Sequence, residues 1–359
     1  MTTGAPGPAG TASAAVPRDG SQEAARERLD QHLNAGIPRH LVFVAAKLGL
    51  AELLADGPRS SEDLAAALGA HPDTLRRVLR GMVSIGLLTE DDGRFGLDEM
   101  GRLLRGDAPE PLAGRVIKSV ELGMAWGGLL NAVVTGEPPF EHVFGEGPFP
   151  HFARDPAVAA LGARLNPGTS WEVAQAIAAA YDFARFEAVV DVGGGHGIVL
   201  AAILQRYPHL RGAVLDQPHV MEDARQVAAR YGVDGRTRLV AGDFFEAVPP
   251  GDVYVLKTIL HDWDDARAAR ILQRCREAMS PRGRVLVVEG LLPERAVQGE
   301  NRFLGDVMML VETGGRERTE REYRALFAAA GLALSEIRPL HAGHYAGRSL
   351  IEGVPMNTG

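Results

Sequence analysis

The chain has 359 residues, more than one ordinary core holds, so length alone points to two domains. Hydrophobic residues make up 46% and charged residues 23%, the balance of a globular protein. A formal charge of −8 and the lack of a long Lys/Arg run argue against general affinity for nucleic acid or an anionic membrane. One cysteine, Cys275, excludes an intrachain disulfide and suits a reducing cytoplasm. No apolar run reaches the ~18–20 residues of a membrane span.

Residues 1–20 are rich in Gly, Ala, Pro and Ser, with neither the basic start nor the apolar block of a signal peptide, and are predicted to be a disordered tail. Residues 21–106 read as a mainly helical domain. Leu41, Val44, Ala45 and Leu48 form an apolar stripe at helical spacing. The run from Ser60 to Gly69 opens on a Ser cap with acids behind it and closes on Gly. A second helix is predicted from His71-Pro72-Asp73-Thr74 to Gly86. Residues 87–90 and 94–97 flank Asp91-Asp92-Gly93 as a hairpin. Helix, turn, helix and wing make a winged-helix shape. Residues 107–187 read as a helical linker with Pro-rich breaks that contributes to a cleft.

From 188 to 359 the texture changes to strands alternating with helices, the pattern of a parallel α/β sheet. The predicted strands are 188–192, 213–215, 237–241, 253–256 and 284–288, with 332–338 and 349–352 as an antiparallel end. The first strand runs into Asp191-Val192-Gly193-Gly194-Gly195-His196-Gly197 and then a helix. Glycines there allow a sharp turn and close approach of a ligand to the backbone. A dinucleotide fold wants G-x-G-x-x-G, and Ile198 stands where the third glycine belongs. The pattern instead resembles the first motif of class I methyltransferases. An acid, Asp216, ends the next strand, where a carboxylate accepts ribose hydroxyls. Asp243 and Phe244 end the third strand and suit an adenine amino group and ring. Each alone has an ordinary structural reading; all three in order, at strand C-terminal ends, point to a nucleotide-like cofactor.

The fourth strand leads into Lys257-Thr258-Ile259-Leu260-His261-Asp262-Trp263-Asp264-Asp265. A lone His is usually structural, but this one lies on the cofactor edge of the sheet. Asp264 or Asp265 is read as a helix cap rather than a metal ligand, and no metal-ligand spacing occurs anywhere. The fifth strand ends at Glu289, and Gly314-Gly315-Arg316-Glu317-Arg318-Thr319 follows. The His-Asp-Trp triplet, Glu289 and this last run are similar to the caffeic-acid-type family of small-molecule O-methyltransferases. That family includes plant phenylpropanoid enzymes and bacterial enzymes that tailor aromatic polyketides. The resemblance covers roughly residues 30 to 352.

The resemblance implies a Rossmann-like class I methyltransferase sheet, mostly parallel with an antiparallel last strand, behind a winged-helix-like dimerisation domain. It implies S-adenosylmethionine as methyl donor, S-adenosylhomocysteine as product and no metal. It also implies an aromatic hydroxyl as acceptor, and a homodimer in which one N-terminal domain closes the partner's site. His261 corresponds to the general base, with Glu289 and Glu317 as the carboxylates that hold and polarise it. Gly193, Asp216, Asp243, Phe244 and Lys257 correspond to cofactor contacts, with Asp191, Ser170, Gly195, Gln217, Gly242 and Phe245 as further candidates. Met309 corresponds to a Met that clamps the acceptor. Met124, Trp126, Trp263, Asp306 and Met308 are further acceptor candidates, with core packing an equal reading for Met124, Trp126 and Met308.

The chain departs from the plant pattern at Phe244, where plant members usually carry Met, and at Glu312-Thr313, where Asn-Pro is common. The acceptor is therefore not borrowed from plants. High Ala, Gly and Arg content suits a GC-rich bacterial genome and a natural-product tailoring role. Three rivals stand beside this reading. One is a winged-helix DNA-binding regulator, whose second helix carries Arg76, Arg77 and Arg80 but has little wider basic footprint. Another is a relative that binds the same cofactor but hydroxylates or decarboxylates, a group that tends to lack the His-Asp-Trp base. The third is a dehydrogenase, disfavoured by the glycine spacing.

Overall fold

The computed structural model describes residues 36–108, 111–155, 158, 171–298, 301–340 and 347–356. The expected tail over residues 1–20 and the candidate contact Ser170 lie outside them. The chain divides into two compact units, Met1–Val116 and Ile117–Gly359.

In the first unit, helices Gly36–Lys47, Ser61–Leu68 and Pro72–Ser84 pack with a small antiparallel sheet. Its strands are β1 (Arg59–Ser60), β2 (Leu88–Asp91) and β3 (Arg94–Leu97), in the order β1-β3-β2. The cap signals act as their chemistry requires. Ser60 accepts the Asp63 N–H at 3.1 Å, and Gly69 closes the helix with φ 61°. Asp92 and Gly93 both take positive φ, 45° and 71°, which matches a two-residue hairpin turn to the twist of its strands. Leu50, Leu64, Leu79, Met82, Leu87 and Phe95 form the core. Arg80 on the second helix of the motif is bound by both oxygens of Glu90 and Arg76 pairs with Asp73, so two of its three arginines already have local partners.

The second unit is built on one mixed sheet. Its strands are β4 (Ala188–Val192), β5 (Arg211–Asp216), β6 (Thr237–Ala241), β7 (Gly251–Lys257), β8 (Met279–Leu292), β9 (Arg318–Thr319), β10 (Leu332–Pro339) and β11 (Arg348–Pro355). The order is β10-β11-β8-β7-β4-β5-β6, with β9 pairing β8. Strands β4 to β8 run parallel, and β11 is antiparallel to both neighbours. Side chains alternate between two cores with the strand period of two. Val253 and Val255 enter the core under helices Trp171–Ala180 and Ile198–Arg206. Tyr254 and Leu256 enter the core under helices Asp265–Ala278 and Glu320–Ala329. Burial on both faces is why these strands read as continuous apolar runs. Strand β8 is longer than the sequence predicts and includes Pro281 and Gly283, residues that ordinarily interrupt a strand; they lie in a bulge, since Met279 pairs Gly251 and the next registered pair with β7 is Arg284 with Val253.

Strand β4 lies at the centre, with β5 on one side and β7 on the other. Connections from the parallel strands leave in opposite directions there, which opens a crevice beyond their C-terminal ends. Among the described residues, no helix is long and apolar enough to cross a membrane.

Candidate active site

The C-terminal ends of β4, β5, β6 and β7 carry the glycine loop, Asp216, Asp243 and Lys257. Gly193 takes φ 65° as β4 ends, and its N–H donates to the Leu215 carbonyl at 2.8 Å. A Cβ there would be strained at that φ and would have to displace the Ile259 side chain, whose Cδ1 lies 2.4 Å from the Cβ position, so glycine is favoured. Asp216 Oδ2 accepts the Gly195 N–H and its Oδ1 accepts the Gln217 N–H, both at 2.7 Å. An ionised carboxylate has about four acceptor positions, so roughly half remain for a ligand. Asp243 is exposed and spends one oxygen on the Phe245 N–H at 2.7 Å. Asp191 is buried, one of its oxygens lacks any hydrogen bond, and burial pushes its carboxyl up to about 7. Free acceptors on Asp216 and Asp243, aromatic surface at Phe244 and a glycine loop fit an adenosine-bearing cofactor.

The turn after β7 presents His261. Thr258 takes φ 55°, a left-handed conformation costly for a β-branched residue. Two bonds hold it there, its N–H to the Val288 carbonyl (3.1 Å) and its hydroxyl to the Lys257 carbonyl (2.6 Å). The following N–H groups converge on one carboxylate. Glu289 Oε1 accepts from Ile259 (2.9 Å), Leu260 (2.6 Å) and His261 (3.2 Å). Its other oxygen accepts the Tyr323 hydroxyl. Glu289 is fully buried, and this full set of donors is what makes a buried carboxylate tolerable.

The Gly314–Thr319 run grips the same turn from the other side. The Arg316 N–H donates to the His261 carbonyl at 2.8 Å. Arg318, with no exposed surface, donates to the carbonyls of Leu260 and Trp263 and to Asp265, each at 2.9 Å. Gly315 must be glycine, because a Cβ would lie 2.0 Å from the His261 carbonyl oxygen. Held this way, Glu317 Oε1 meets His261 Nδ1 at 2.9 Å. A carboxylate only accepts, so Nδ1 carries the proton and Nε2 keeps its lone pair. Nε2 makes no hydrogen bond among the described residues; Asp262 Oδ1 stands 3.8 Å away.

Burial works to lower the His261 pKa, but the Glu317 hydrogen bond and the charges of Glu289 and Asp262 outweigh it, so the net shift is upward. For Glu317, burial works to raise the pKa and the bond to His261 prevails, so its carboxyl lies below the usual range. Burial pushes Asp262 up to about 6.

Comparison with known proteins agrees with this arrangement. Residues 126–333 match the O-methyltransferase domain, and residues 31–107 match the O-methyltransferase dimerisation domain. The phenazine O-methyltransferase PhzM of Lysobacter antibioticus is 43% identical over 321 residues, spanning 88% of this chain and 92% of that protein. The 8-amino-8-demethylriboflavin N,N-dimethyltransferase of Streptomyces davaonensis is 34% identical over 339 residues, 90% of this chain and 94% of that protein. Among solved structures, NcsB1 is an O-methyltransferase from neocarzinostatin biosynthesis in complex with S-adenosylmethionine and 2-hydroxy-5-methyl naphthoic acid. It is 34% identical, covers 89% of this chain and 96% of its own, and superposes with a TM-score of 0.69. The chain belongs to the O-methyltransferase family.

This O-methyltransferase uses S-adenosylmethionine, and its second unit has the class I methyltransferase sheet that the sequence predicts. The structure gathers His261, Glu289 and Glu317 but divides their contacts. Among the described residues, Glu317 is the one that hydrogen-bonds the imidazole. Glu289, expected there too, spends its hydrogen bonds on the backbone of 259–261 and on Tyr323. Trp263, expected at the acceptor, packs its indole edge-on against Phe245 (4.8 Å between centroids) and Phe244 (6.2 Å) and stacks on Phe149 (6.1 Å), a residue of the segment expected to line the cleft. Asp306, also expected at the acceptor, accepts the Glu317 N–H at 2.9 Å and so positions the carboxylate. Met309 is buried, whereas Met308, Met124 and Trp126 are more than a third exposed. Gly242 bonds its N–H to the Asp216 carbonyl at 3.0 Å, and Lys257 Nζ donates to the Thr258 hydroxyl at 3.2 Å. Sequence reasoning missed Arg318, Gly315 and Tyr323. The first two lie inside the quoted run, but nothing in the string separates buried Arg318 from exposed Arg316.

Proposed function

We propose that this enzyme methylates a hydroxyl on an aromatic natural product, with His261 as general base. The observation that carries the reading is the His261–Glu317 pair, which leaves Nε2 as a proton acceptor beside the cofactor edge. S-adenosylmethionine supplies an already activated methyl group. The chain's work is then to bind both reactants, exclude water and take one proton. Asp216 accepts from the ribose hydroxyls, and Asp243 with Phe244 takes the adenine. Gly193, Gly195, Gly242, Gln217, Phe245, Asp191 and Lys257 shape the rest of that cradle.

A phenol titrates near ~10 and free His near ~6.5, so full proton transfer before attack is uphill by ~5 kcal/mol. The carboxylates around His261 narrow that gap by stabilising the imidazolium, as does partial transfer in the transition state. Holding the hydroxyl in line contributes several kcal/mol more. Met309, Met308, Met124 and Trp126 are our candidates for the acceptor wall. The dimerisation domain over 31–107 supports a homodimer.

A nitrogen acceptor is the second reading, favoured by the riboflavin N,N-dimethyltransferase relative. An amine needs the base less, because it attacks through a free lone pair; the buried, polarised imidazole favours oxygen. The test is labelled-methyl transfer from S-adenosylmethionine to phenolic polyketides, hydroxyphenazines, phenylpropanoids and matched arylamines. O-methylated product supports the reading. Transfer to amines alone, or cofactor binding with no transfer, contradicts it.

A further inference from the structure

The turn that presents His261 is gripped by one stretch of chain, residues 317–323. Glu317 bonds the imidazole, and Arg318 bonds the carbonyls of Leu260 and Trp263. The N–H groups of the turn are held through an intermediary. Those of Ile259, Leu260 and His261 all donate to Glu289 Oε1, and the Tyr323 hydroxyl donates to Glu289 Oε2. Among the described residues, no other group bonds that second oxygen. Neither Tyr323 nor Glu289 has any exposed surface, so water does not stand in for the hydroxyl. Burial and the charge of Glu289 hold the Tyr323 phenol well above its usual range, so it keeps its proton and donates. Its ring packs edge-on against Phe327, 6.3 Å between centroids, a contact that a phenyl ring makes equally well. A buried hydroxyl costs stability unless it is bonded, so packing alone does not call for one here. A capping box between Thr319 and Glu322 starts helix Glu320–Ala329 and fixes where Tyr323 stands relative to Arg318.

We propose that Tyr323 is a positioning residue for methyl transfer: its hydroxyl pins the Glu289 carboxylate in the orientation that holds the backbone of 259–261, and so aims His261 at the acceptor. This rests on the reading of His261 as the base. The turn needs such an anchor, because Thr258 at its start is held at φ 55°, a conformation that a β-branched residue leaves when released. Without the hydroxyl, Glu289 Oε2 becomes a buried acceptor with no donor. The carboxylate then gains by rotating away from the three N–H groups, and the turn loosens around His261.

The experiment uses Tyr323→Phe, which deletes the hydroxyl and keeps the ring. Its kcat is expected to fall about tenfold, with acceptor KM and S-adenosylhomocysteine affinity within about twofold of wild type. Amide hydrogen exchange, followed by mass spectrometry, is expected to quicken about tenfold or more at residues 259–261 while β7 and helix Asp265–Ala278 stay protected. Exchange that quickens equally in all these elements reports lost packing, and unchanged exchange at 259–261 removes the link through Glu289; either overturns the inference alone. So does a loosened turn with kcat kept, where His261→Ala loses turnover. A loosened turn with kcat kept, where His261→Ala keeps turnover as well, overturns the reading of His261 as the base and this inference with it.

Discussion

The cofactor edge and the proton site share one side of a single sheet but are built from different materials. At the cofactor edge, main chain does most of the work. Gly193 and Gly195 turn the chain, backbone N–H groups aim Asp216, and Asp243 stands exposed with one oxygen free. At the proton site the working groups are side chains withdrawn from solvent. His261, Glu289, Glu317 and Arg318 are all buried, and each bonds to a residue tens of positions away in sequence, although Glu317 Oε2 and His261 Nε2 make no hydrogen bond among the described residues. An exposed, local site tolerates a lost contact by admitting water. A buried, interlocked one does not, because each removed partner strands another polar group. Damage to the first is therefore expected to appear as weaker binding, and damage to the second as slower turnover.

The largest of the effects that sharpen this contrast is expected from Gly315→Ala. The new Cβ has only backbone to meet, so the His261 turn must shift. Misplacing a reacting group by a fraction of an ångström to an ångström costs on the order of a hundredfold in rate. Steady-state kinetics should show that loss in kcat, with calorimetric affinity for S-adenosylhomocysteine nearly kept. Equal losses in both would erase the distinction between the two regions. Asp216→Ala is the converse. Charge-assisted hydrogen bonds contribute roughly 2 kcal/mol, so the cofactor Kd should rise about thirtyfold. Turnover at saturating cofactor should change little, and a kcat collapse there would contradict the account.

The smallest effect is expected from Glu317→Gln and is read as a pH profile. Neutral His261 is the active form, so kcat/KM falls as pH drops through its pKa. That pKa is raised above 6.5, which puts the acid limb above 6.5 in the wild type. Gln removes a contribution that raises it, while burial still lowers it, so the limb should move to lower pH as kcat falls several-fold. An unmoved limb would separate Glu317 from the titrating group.

The same contrast explains what the sequence made legible. The cofactor edge is written in short contiguous motifs at strand ends, and the continuous apolar runs located β4 and β6 to the residue and β5 and β7 within two residues at each end. The proton site is assembled across more than fifty positions, so its residues could be named by resemblance but their contacts could not. Glu289 shows this. Its place at the end of a strand fits both the imidazole and the backbone of 259–261, and only packing decides for the backbone. The contacts of Trp263 and Asp306 were hidden for the same reason, since their partners Phe149, Phe245 and Glu317 are not neighbours in the chain. Strand β8 ran past its predicted ends, at one through the unpaired bulge that holds Pro281 and Gly283, and at the other by pairing with β11 and β9, which no local signal announces.

The central claim is that His261 takes the acceptor's proton and does nothing for the cofactor. Its most direct test is His261→Ala, assayed for methyl transfer at saturating S-adenosylmethionine alongside calorimetric binding of S-adenosylhomocysteine. Loss of general-base catalysis predicts a fall in kcat of about 100-fold or more with cofactor affinity nearly unchanged. Turnover within a few-fold of wild type, or affinity lost in step with rate, would contradict it.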